Sequence, residues 1–439
     1  MYKNNSKSIS RILNGHDVLY SLFLLALVTD KCYSSKTDLM NVRSHHFKNS
    51  RKLISISDGV ASNVFNVEDF GALGDGNQDN TQEFAAAWNA ACISYSATMV
   101  VPSDKTFLVN NIVFKGPCVP GFTFQIDGTI LAHRNPERWN NTYMWLAFQQ
   151  LQNFTLTGVG SINGQGDLWW QDCNVSCIYQ QRPIAVQFFR NCNVTVSGLT
   201  IKNSPLAHLT FDDCENIKVH DIKISSPGDS RNTDGIDVGS SKNFAITDSI
   251  IVAGDDCIAF GNGCSEMLVR NLTCGPGHGI SIGSLGKYNS AANVSNITVE
   301  GAKLTGTMNG ARIKTWQGGS GTVSNIKFKN IEMVYVSNPI IIDQYYCASS
   351  TPMYCTNQTS AVQISNVRFE NIYGISLTPA AVKFACSDTV ACTDIILSNI
   401  YLKLESHDEA YSFCENAYGQ IRENVDPPSC LKSDIFLAE

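Results

Sequence analysis

The chain has 439 residues, of which 43% are hydrophobic and 16% are charged. Its formal net charge is −7 and it contains no run of basic residues, so a nucleic-acid partner is not expected. The length is large for one globular core, but a solenoid extends in one dimension and need not divide into domains.

The first predicted element is a signal peptide with its leader, over residues 1–34. Three basic residues precede an apolar stretch from Val18 to Val28, which is too short to span a bilayer. A signal anchor is the alternative interpretation of this stretch. Residues 35–60 are polar and unpatterned, and they are predicted to be flexible. The mature domain, residues 61–439, is therefore expected to be secreted and free of the membrane once the signal is removed.

A helix is predicted at the start of the mature domain. The sequence Asn80-Thr-Gln-Glu83 resembles a capping box. Phe84, Trp88, Ala91 and Cys92 then form one helical stripe. An amphipathic helix here would cover the open N-terminal end of a solenoid, which otherwise exposes its core.

An internal repeat occupies most of the remaining chain. Each copy begins with Asn, Asp or Glu and alternates apolar with polar residues, as in Asn193–Ile201 and Asn216–Ile224, and most copies begin 23 to 30 residues apart. Alternation predicts strands, and the regular interval predicts a solenoid. Helical segments are nearly absent between the copies. We therefore predict an all-β fold, a right-handed single-stranded parallel β-helix in which the Asn residues stack as ladders at a recurring bend.

Three short motifs fall at one constant interval within the repeat. Asn232-Thr-Asp-Gly, Gly254-Asp-Asp-Cys and Gly277-His-Gly place Asp234, Asp256 and His278 22 residues apart, twice over. Equivalent residues on adjacent coils lie about 4.8 Å apart. Each motif precedes a short apolar strand, and the strand after these contains Arg312 and Lys314 on one face. The acids, the imidazole and the cations are expected to line one strip of surface.

This combination of side chains is suited to cleavage of an acidic sugar. Paired carboxyl groups across one bond are the equipment of glycoside hydrolysis, where one gives a proton to the leaving oxygen and the other activates water. Arg312 and Lys314 could bind a substrate carboxylate. Taken singly, each motif also has an ordinary interpretation as a turn, a calcium site or a solvated strand face.

The cysteines agree with an oxidising compartment. The chain has 16, and close spacing suits disulfides, although removal of Cys32 with the leader leaves an odd number. The close pairs are Cys173/Cys177, Cys257/Cys274, Cys347/Cys355, Cys386/Cys392 and Cys414/Cys430. Eight glycosylation sequons follow the leader, at Asn140, Asn153, Asn174, Asn193, Asn271, Asn293, Asn296 and Asn357.

Taken together, the four motifs resemble the polygalacturonases of glycoside hydrolase family 28, and the N-terminal segment and cysteine pattern resemble the plant branch. The resemblance extends from Phe65 to about Cys430. It includes the segments Asp69–Gly76, Gly160–Trp170, Asn203-Ser-Pro and Asp343–Cys347. It implies a hydrolase that cleaves α-1,4-linked galacturonate in pectin with inversion, without a metal or organic cofactor. It leaves endo and exo action open, with endo slightly favoured, and a monomer is expected.

The resemblance also implies roles for single residues. Asp255 would be the general acid, Asp234 and Asp256 would activate the water, and His278 would tune the protonation of the acid. Substrate would be bound by Arg312, Lys314, Tyr346 and Asn232, and a disulfide between Cys257 and Cys274 would brace the site.

Two positions depart from the plant pattern. Arg231 stands where Pro is common and adds a cation near the groove. Asp237 stands where His is common. Alternation along its strand predicts that Asp237 lies one side chain beyond the site-facing neighbours, so we do not expect it to be catalytic.

Three other functions remain open at this point. A pectate lyase could use the same solenoid with calcium and an Arg base, although the order of Asp, His, Arg and Lys fits hydrolysis better. A hydrolase of branched pectin, rhamnogalacturonan or xylogalacturonan, would differ in its groove. A non-catalytic solenoid that binds wall polysaccharide or protein is the third, but it predicts decay of the motif residues, and all are present.

Overall fold

The structure is a computed structural model that describes residues 63–139, 143–170, 182–347 and 356–433. All of these belong to one structural unit, Ile56–Glu439. The predicted signal peptide and the segment 35–60 lie outside the described residues. Within the described ranges, no helix has the length and apolar character needed to cross a membrane.

Strands dominate the described residues. Some begin one residue before a predicted repeat start, as at Asn193 and Asn216, and the later starts Asn296, Asn325 and Asn366 fall inside longer strands. The first sixteen are β1 Val64–Asn66, β2 Asp75–Asp79, β3 Thr98–Val101, β4 Thr106–Leu108, β5 Ile112–Lys115, β6 Thr123–Ile126, β7 Thr129–Leu131, β8 Met144–Gln149, β9 Gln152–Thr157, β10 Ser161–Asn163, β11 Ile184–Phe189, β12 Cys192–Ser197, β13 Thr200–Lys202, β14 Leu209–Asp212, β15 Glu215–His220 and β16 Lys223–Ser225.

The strands of the second half include several long ones, because two short strands of a coil merge there. They are β17 Ile236–Gly239, β18 Lys242–Val252, β19 Ile258–Phe260, β20 Ser265–Cys274, β21 Ile280–Leu285, β22 Ala291–Thr305, β23 Asn309–Thr315, β24 Ser320–Val336, β25 Asn338–Asp343, β26 Gln363–Ser376, β27 Ala380–Ala385, β28 Cys392–Leu404, β29 Tyr411–Glu415, β30 Ala417–Ile421 and β31 Val425–Asp426.

Helices are few in the described part of the chain. They are α1 Thr81–Cys92, α2 Asp167–Trp170 and three 3-10 turns, Val67–Phe70, Pro136–Trp139 and Lys287–Asn289. This composition agrees with the all-β prediction.

The strands form two sheets that run along the solenoid. The smaller sheet, here called the groove sheet, has eleven strands in the order β5-β8-β11-β14-β17-β19-β21-β23-β25-β27-β29, and the other has twenty. Each strand pairs in parallel with the equivalent strand of the next coil, as in β17 with β19 and β19 with β21. From β17 to β30 one groove-sheet strand alternates with one strand of the larger sheet along the chain. This is the parallel β-helix that the repeat predicts.

The asparagines that begin the repeats stack as predicted. Asn193 donates its side-chain amide to Asn153 (3.0 Å), and Asn325 donates to Asn296 (2.9 Å). Asn193 and Asn325 have φ of 54° and 58°, in the left-handed region that Asn adopts more readily than most residues. The ladder therefore satisfies the amide groups at a bend that each coil must make. Asn193 is also a sequon, so a glycan there would break this ladder.

Aromatic rings stack inside the N-terminal coils. Phe114, Phe148, Phe188 and Phe211 face one another at successive centroid distances of 5.0, 4.9 and 4.8 Å. Helix α1 buries its apolar stripe against this end of the core, and the Trp88 ring lies 4.8 Å from the Phe114 ring. The helix covers the first coil, as its stripe predicts.

The predicted capping box at the start of α1 does not form. The Asn80 side chain makes no helix-capping bond, because it is buried and accepts from the backbone N–H of Leu73 (2.8 Å). The carboxylate of Asp79 accepts from the Thr81 N–H instead, at 3.0 Å.

Both cysteines of four disulfides lie within the described residues. Three of these were predicted from spacing, and the fourth joins Cys92 at the end of α1 to Cys118. The three predicted bonds are Cys257–Cys274, Cys386–Cys392 and Cys414–Cys430. Cys173, Cys177 and Cys355 lie outside the described residues. Cys214 and Cys264 are buried free thiols.

Candidate active site

The loops that enter three adjacent groove-sheet strands carry the motif residues. The register pairs Ile236 with Ile258 and Ile258 with Ile280. Each motif residue stands two positions before one of these isoleucines, which places Asp234, Asp256 and His278 at the same point of three successive coils. The 22-residue interval is therefore one coil, as predicted.

Hydrogen bonds fix the first two loops against each other. Thr233 Oγ1 accepts from the backbone N–H of Gly254 (3.0 Å) and donates to the carbonyl of Ser230 (2.9 Å). A Cβ at position 254 would stand 1.9 Å from the Ser230 carbonyl oxygen, so only glycine permits this approach. The positions of Asp234 and Asp255 are thus set by backbone contacts between coils.

Asp255 lies at the centre of the strip. Its Oδ1 lies 2.8 Å from His278 Nδ1 and accepts from the backbone N–H of Asp256 at 2.9 Å. Asn232 donates to its Oδ2 at 3.3 Å. Burial alone would raise the pKa of Asp255, but the hydrogen bond and charge of His278 outweigh it, and the net pKa is lowered. The carboxyl group and the imidazole therefore form one hydrogen-bonded pair.

Asp256 is almost fully buried and is neutralised by two cations. Arg312 Nη2 donates to its Oδ1, and Lys314 Nζ donates to its Oδ2 at 2.7 Å. Ser281 donates to the same Oδ1 at 2.9 Å and accepts from Arg312 Nε at 2.8 Å. Both cations were expected to bind substrate, and here they bind Asp256 while being only 8% and 7% exposed.

Asp234 has no such cation in hydrogen-bond contact among the described residues. Burial raises the pKa of Asp234 well above its usual value, and the charges of Asp237, Asp255 and Asp256 raise it further. Its backbone carbonyl accepts from the N–H of His208 and lies 2.9 Å from His208 Nδ1. Burial lowers the pKa of His208 to about 4, so this imidazole is neutral. It supports the Asp234 loop through these two contacts with the backbone carbonyl.

Asp237 is not where alternation predicts it. The register aligns it with Thr210 on one side and with Ala259, Ser281 and Arg312 on the other, so its side chain projects from the same face of the sheet as Arg312. The prediction that Asp237 lies beyond the site-facing neighbours is wrong. Side chains alternate between the two faces only within a strand, and Asp234 lies in the loop before the strand. Counting alternate positions from Asp234 therefore assigns Asp237 to the wrong place.

The two adjacent tyrosines have different surroundings. The Tyr346 ring packs edge-on against Trp316, with centroids 5.7 Å apart, and Lys314 Nζ lies 5.3 Å from the Tyr346 ring. The Tyr345 hydroxyl instead accepts from the backbone N–H of Asp388 at 3.0 Å. Tyr346 is therefore the tyrosine brought to the candidate site.

An open cleft lies above the loops. Its volume is about 640 Å³, and its lining includes Trp170, Arg231, Asn232, Asp255 and His278. The Arg231 side chain is exposed, and its carbonyl accepts from Arg182 at 3.0 Å. The cleft thus brings an added cation beside the carboxyl groups, as the departure at position 231 suggests.

A metal ion is not needed to neutralise this cluster. One potential ligand atom from each of Asp255, Asp256 and His278 lies within 4.8 Å of the others. However, both oxygens of Asp256 accept from Arg312 and Lys314, and Asp255 accepts from its own neighbours. The protein supplies the cations itself.

The site can therefore move protons at two places. The Asp255–His278 pair opens onto the cleft and can deliver a proton, and the carboxyl groups of Asp234 and Asp256 can receive one. Sequence reasoning missed three supporting residues, His208, Ser281 and Thr233, although Ser281 occupies the register position before Arg312 and was detectable from the strand pattern. The disulfide Cys257–Cys274 begins directly after Asp256.

The amino-acid sequence is similar both to a family as a whole and to individual proteins. The model of the family described as "Glycosyl hydrolases family 28" matches residues 92–424. A polygalacturonase of Chamaecyparis obtusa is 48% identical over 91% of this chain and 79% of its own length. Polygalacturonase-2 of Solanum lycopersicum is 44% identical over 85% of this chain and 82% of its own.

Solved structures share the fold at low sequence identity. An exopolygalacturonase of Thermotoga maritima superposes with a TM-score of 0.71 at 22% identity, over 85% of this chain and 93% of its own. An endo-xylogalacturonan hydrolase of Aspergillus tubingensis has a TM-score of 0.69 at 23% identity, over 83% and 100%. Both likenesses concern the fold, a right-handed parallel β-helix.

Proposed function

The chain belongs to glycosyl hydrolases family 28, and we propose that it is a polygalacturonase that hydrolyses the α-1,4 linkages of homogalacturonan in pectin with inversion. The observation that supports this most is the arrangement of three carboxyl groups on adjacent coils, one paired with His278 and one with two buried cations.

The acid in this proposal is the Asp255–His278 pair. The leaving oxygen takes a proton from Asp255 as the glycosidic bond breaks, and His278, 2.8 Å away, supplies the proton that keeps Asp255 able to donate. In the free enzyme the lowered pKa of Asp255 favours its ionised form. Substrate that covers this partly exposed pair would desolvate Asp255 and favour its neutral form.

The water is activated on the other side of the strip. Asp234 and Asp256 hold the water, and its proton passes to Asp234, because Asp256 is already committed to two cations. The oxygen attacks the anomeric carbon from the face opposite the leaving group, which inverts the configuration.

Substrate binding is assigned to the two buried cations and to two polar residues beside the site, Tyr346 and Asn232. Lys314 and Arg312 have more donors than Asp256 uses, and we propose that those left over bind the galacturonate carboxylate at the point of cleavage. Tyr346 packs beside Lys314, and Asn232 beside Asp255. These roles explain why an acidic protein has cations gathered at one place.

The geometry argues against a lyase. A lyase of this fold would use an arginine as its base, and the buried Arg312 guanidinium is instead occupied by hydrogen bonds to Asp256 and Ser281. Branched pectin remains the alternative substrate class, because the fold is shared with a xylogalacturonan hydrolase. Arg312 and Lys314 favour unbranched galacturonan.

The proposed setting is the cell wall. The disulfides, the sequons and the N-terminal apolar stretch support a secreted, extracellular glycoprotein, and a monomer without nucleic-acid or membrane partners is expected.

The test is release of reducing ends from de-esterified polygalacturonate with chelator present. Viscosity is followed in parallel, and Asp255→Asn is the control. Activity of the wild type alone supports hydrolysis through Asp255, and an early fall in viscosity indicates endo cleavage. Ultraviolet-absorbing unsaturated products would indicate a lyase. Release only from xylogalacturonan or rhamnogalacturonan would assign a branched substrate, and no release from folded protein would overturn the proposal.

A further inference from the structure

Asp237 is a carboxyl group at the site that the mechanism above does not use. Its side chain is partly exposed, but its Oδ1 is buried and has no hydrogen-bond partner within the described residues. The Oγ1 of Thr210, its neighbour in the row across the coils, is also buried without a partner. An ionised carboxylate oxygen left without a donor is costly, so the neutral form is favoured at this position.

The surroundings of Asp237 are mostly acidic. Asp234 lies in the loop that leads into the same strand, and Asp255 and Asp256 lie on the next coil. Burial raises the pKa of Asp237 to about 7, with the charges of Asp256 and Asp255 adding to the rise and Lys314 opposing it. Further along its row the first charged group is Arg312, which lies two coils beyond Ala259 and is paired with Asp256.

On the opposite side, the preceding coil contributes Thr210 and the buried His208, whose imidazole is neutral and contacts the Asp234 carbonyl. The acid on that strand, Asp212, is exposed and is aligned with Gly239, two positions beyond Asp237. Asp255 has His278, and Asp256 has Arg312 and Lys314. Asp234 and Asp237 have no cation in hydrogen-bond contact among the described residues, so these two carboxyl groups compete for protons.

We propose that Asp237 is a positioning residue for the base: Asp234 and Asp237 share one proton, and the location of that proton determines when Asp234 can accept one from the attacking water. This rests on the proposed function of the site. When the proton is on Asp237, Asp234 is ionised and ready. When it is on Asp234, the water keeps its proton. Asp234 is then ionised all the time only after the shared proton has been lost.

The proposal predicts the shape of the acidic limb of the rate profile. For two carboxyl groups that share a proton, the limb is shallow and extends over more than one step. Asp237→Asn keeps the shape of the side chain and removes the competitor. The limb should then become a single step with unit slope, and its midpoint should move to lower pH by about one unit. Asp212→Asn, an exposed acid on the neighbouring strand, is the matched control and should leave the limb unchanged.

Two measurements are made on the wild type, D237N and D212N. The first is log kcat against pH from 3 to 8 on polygalacturonate. A D237N limb that coincides with the wild-type limb overturns the proposal, and so does a folded D237N that is inactive at every pH, because Asp237 would then take part in the reaction itself. If D237N does not fold, D237S removes the same charge with a smaller side chain.

The second measurement does not depend on activity. An acid whose folded pKa is raised costs stability as pH rises through the window between its unfolded and folded values. The Tm of D237N relative to the wild type should therefore increase from pH 4 to pH 8, while that of D212N stays level. A flat D237N difference overturns proton sharing. If polygalacturonate is not cleaved but the Tm difference still rises, the substrate assignment has failed and the proton-sharing pair has not.

Discussion

Lys314 Nζ lies 2.7 Å from Asp256 Oδ2, and both side chains are buried. The base-side carboxylate is therefore held by the residue expected to bind substrate. This contact joins two coils that are separated by the coil of His278. It makes the cation part of the architecture of the site as well as of the proposed binding surface.

Lys314→Met should lower both stability and activity. It leaves the buried Asp256 with one cation, and breaking a buried pair costs about 3 kcal/mol. We expect kcat/KM to fall by at least about 100-fold, because a cation at the developing charge is lost. Lys303→Met is the matched control, since Lys303 pairs with Glu332 on the surface and such pairs contribute about 0–1 kcal/mol. Equal effects of the two variants on unfolding and on kcat/KM would contradict this.

His278→Gln should lower kcat by about 100-fold, because the proton supply to Asp255 is lost. The hydrogen bond and charge of His278 hold the pKa of Asp255 down against burial, so that pKa should rise in the variant. The alkaline limb of the remaining activity is then expected at higher pH.

A surface pair of the same kind provides the control for His278. His220 Nδ1 lies 2.7 Å from Asp221 Oδ2, and both side chains are exposed. His220→Gln should leave kcat and the pH profile unchanged. If His278→Gln retains wild-type kcat, the proposed pair does not supply the proton.

His208 should make the protein less stable in acid. Its folded pKa of about 4 is below its usual value of 6.5, so the unfolded chain binds a proton first. Its contribution is complete above about pH 6.5 and is lost as pH falls toward 4, by about 3 kcal/mol in all. His208→Gln should flatten this part of the pH dependence of unfolding, and the exposed His407→Gln should not. Parallel slopes for all three proteins would contradict this.

The disulfide beneath the site should affect activity as well as stability. Replacing Cys257 and Cys274 together by Ala opens a bond of sequence separation 17 and should cost about 3 kcal/mol. The bond Cys414–Cys430, of separation 16, is the matched control in the C-terminal coils. Both double variants should lose similar stability in denaturant unfolding, but only the first should lower kcat at 25 °C. A similar fall in kcat for both would show that the effect is general.

The coil pattern was predictable because one period governs both the strands and the motifs. The 22-residue interval between Asp234, Asp256 and His278 required equivalent positions on three coils, and the register has them there. The asparagine ladder and the stripe on α1 were predictable for the same reason, since each depends on a local period.

Other features depend on contacts between coils that no period specifies. The position of Asp237 follows from the register of β17 after an irregular loop, and alternation counted through that loop gave the wrong answer. The pairing of Arg312 with Asp256 spans 56 residues, and the spacing of charges could not distinguish it from a cation facing substrate. The predicted cap of α1 does not form because the Asn80 side chain accepts a hydrogen bond from the backbone N–H of Leu73 in the preceding turn.

The parallel strands also fix the spacing of the functional groups along the axis of the solenoid. Each coil contributes its groups at a level set by backbone hydrogen bonds, so spacing along the axis changes only in whole strand increments of about 4.8 Å. Variation within this scaffold is consequently confined to rotamers and to the loops at the strand entries. A change of reach along the polymer would require insertion or deletion of a complete turn of the solenoid.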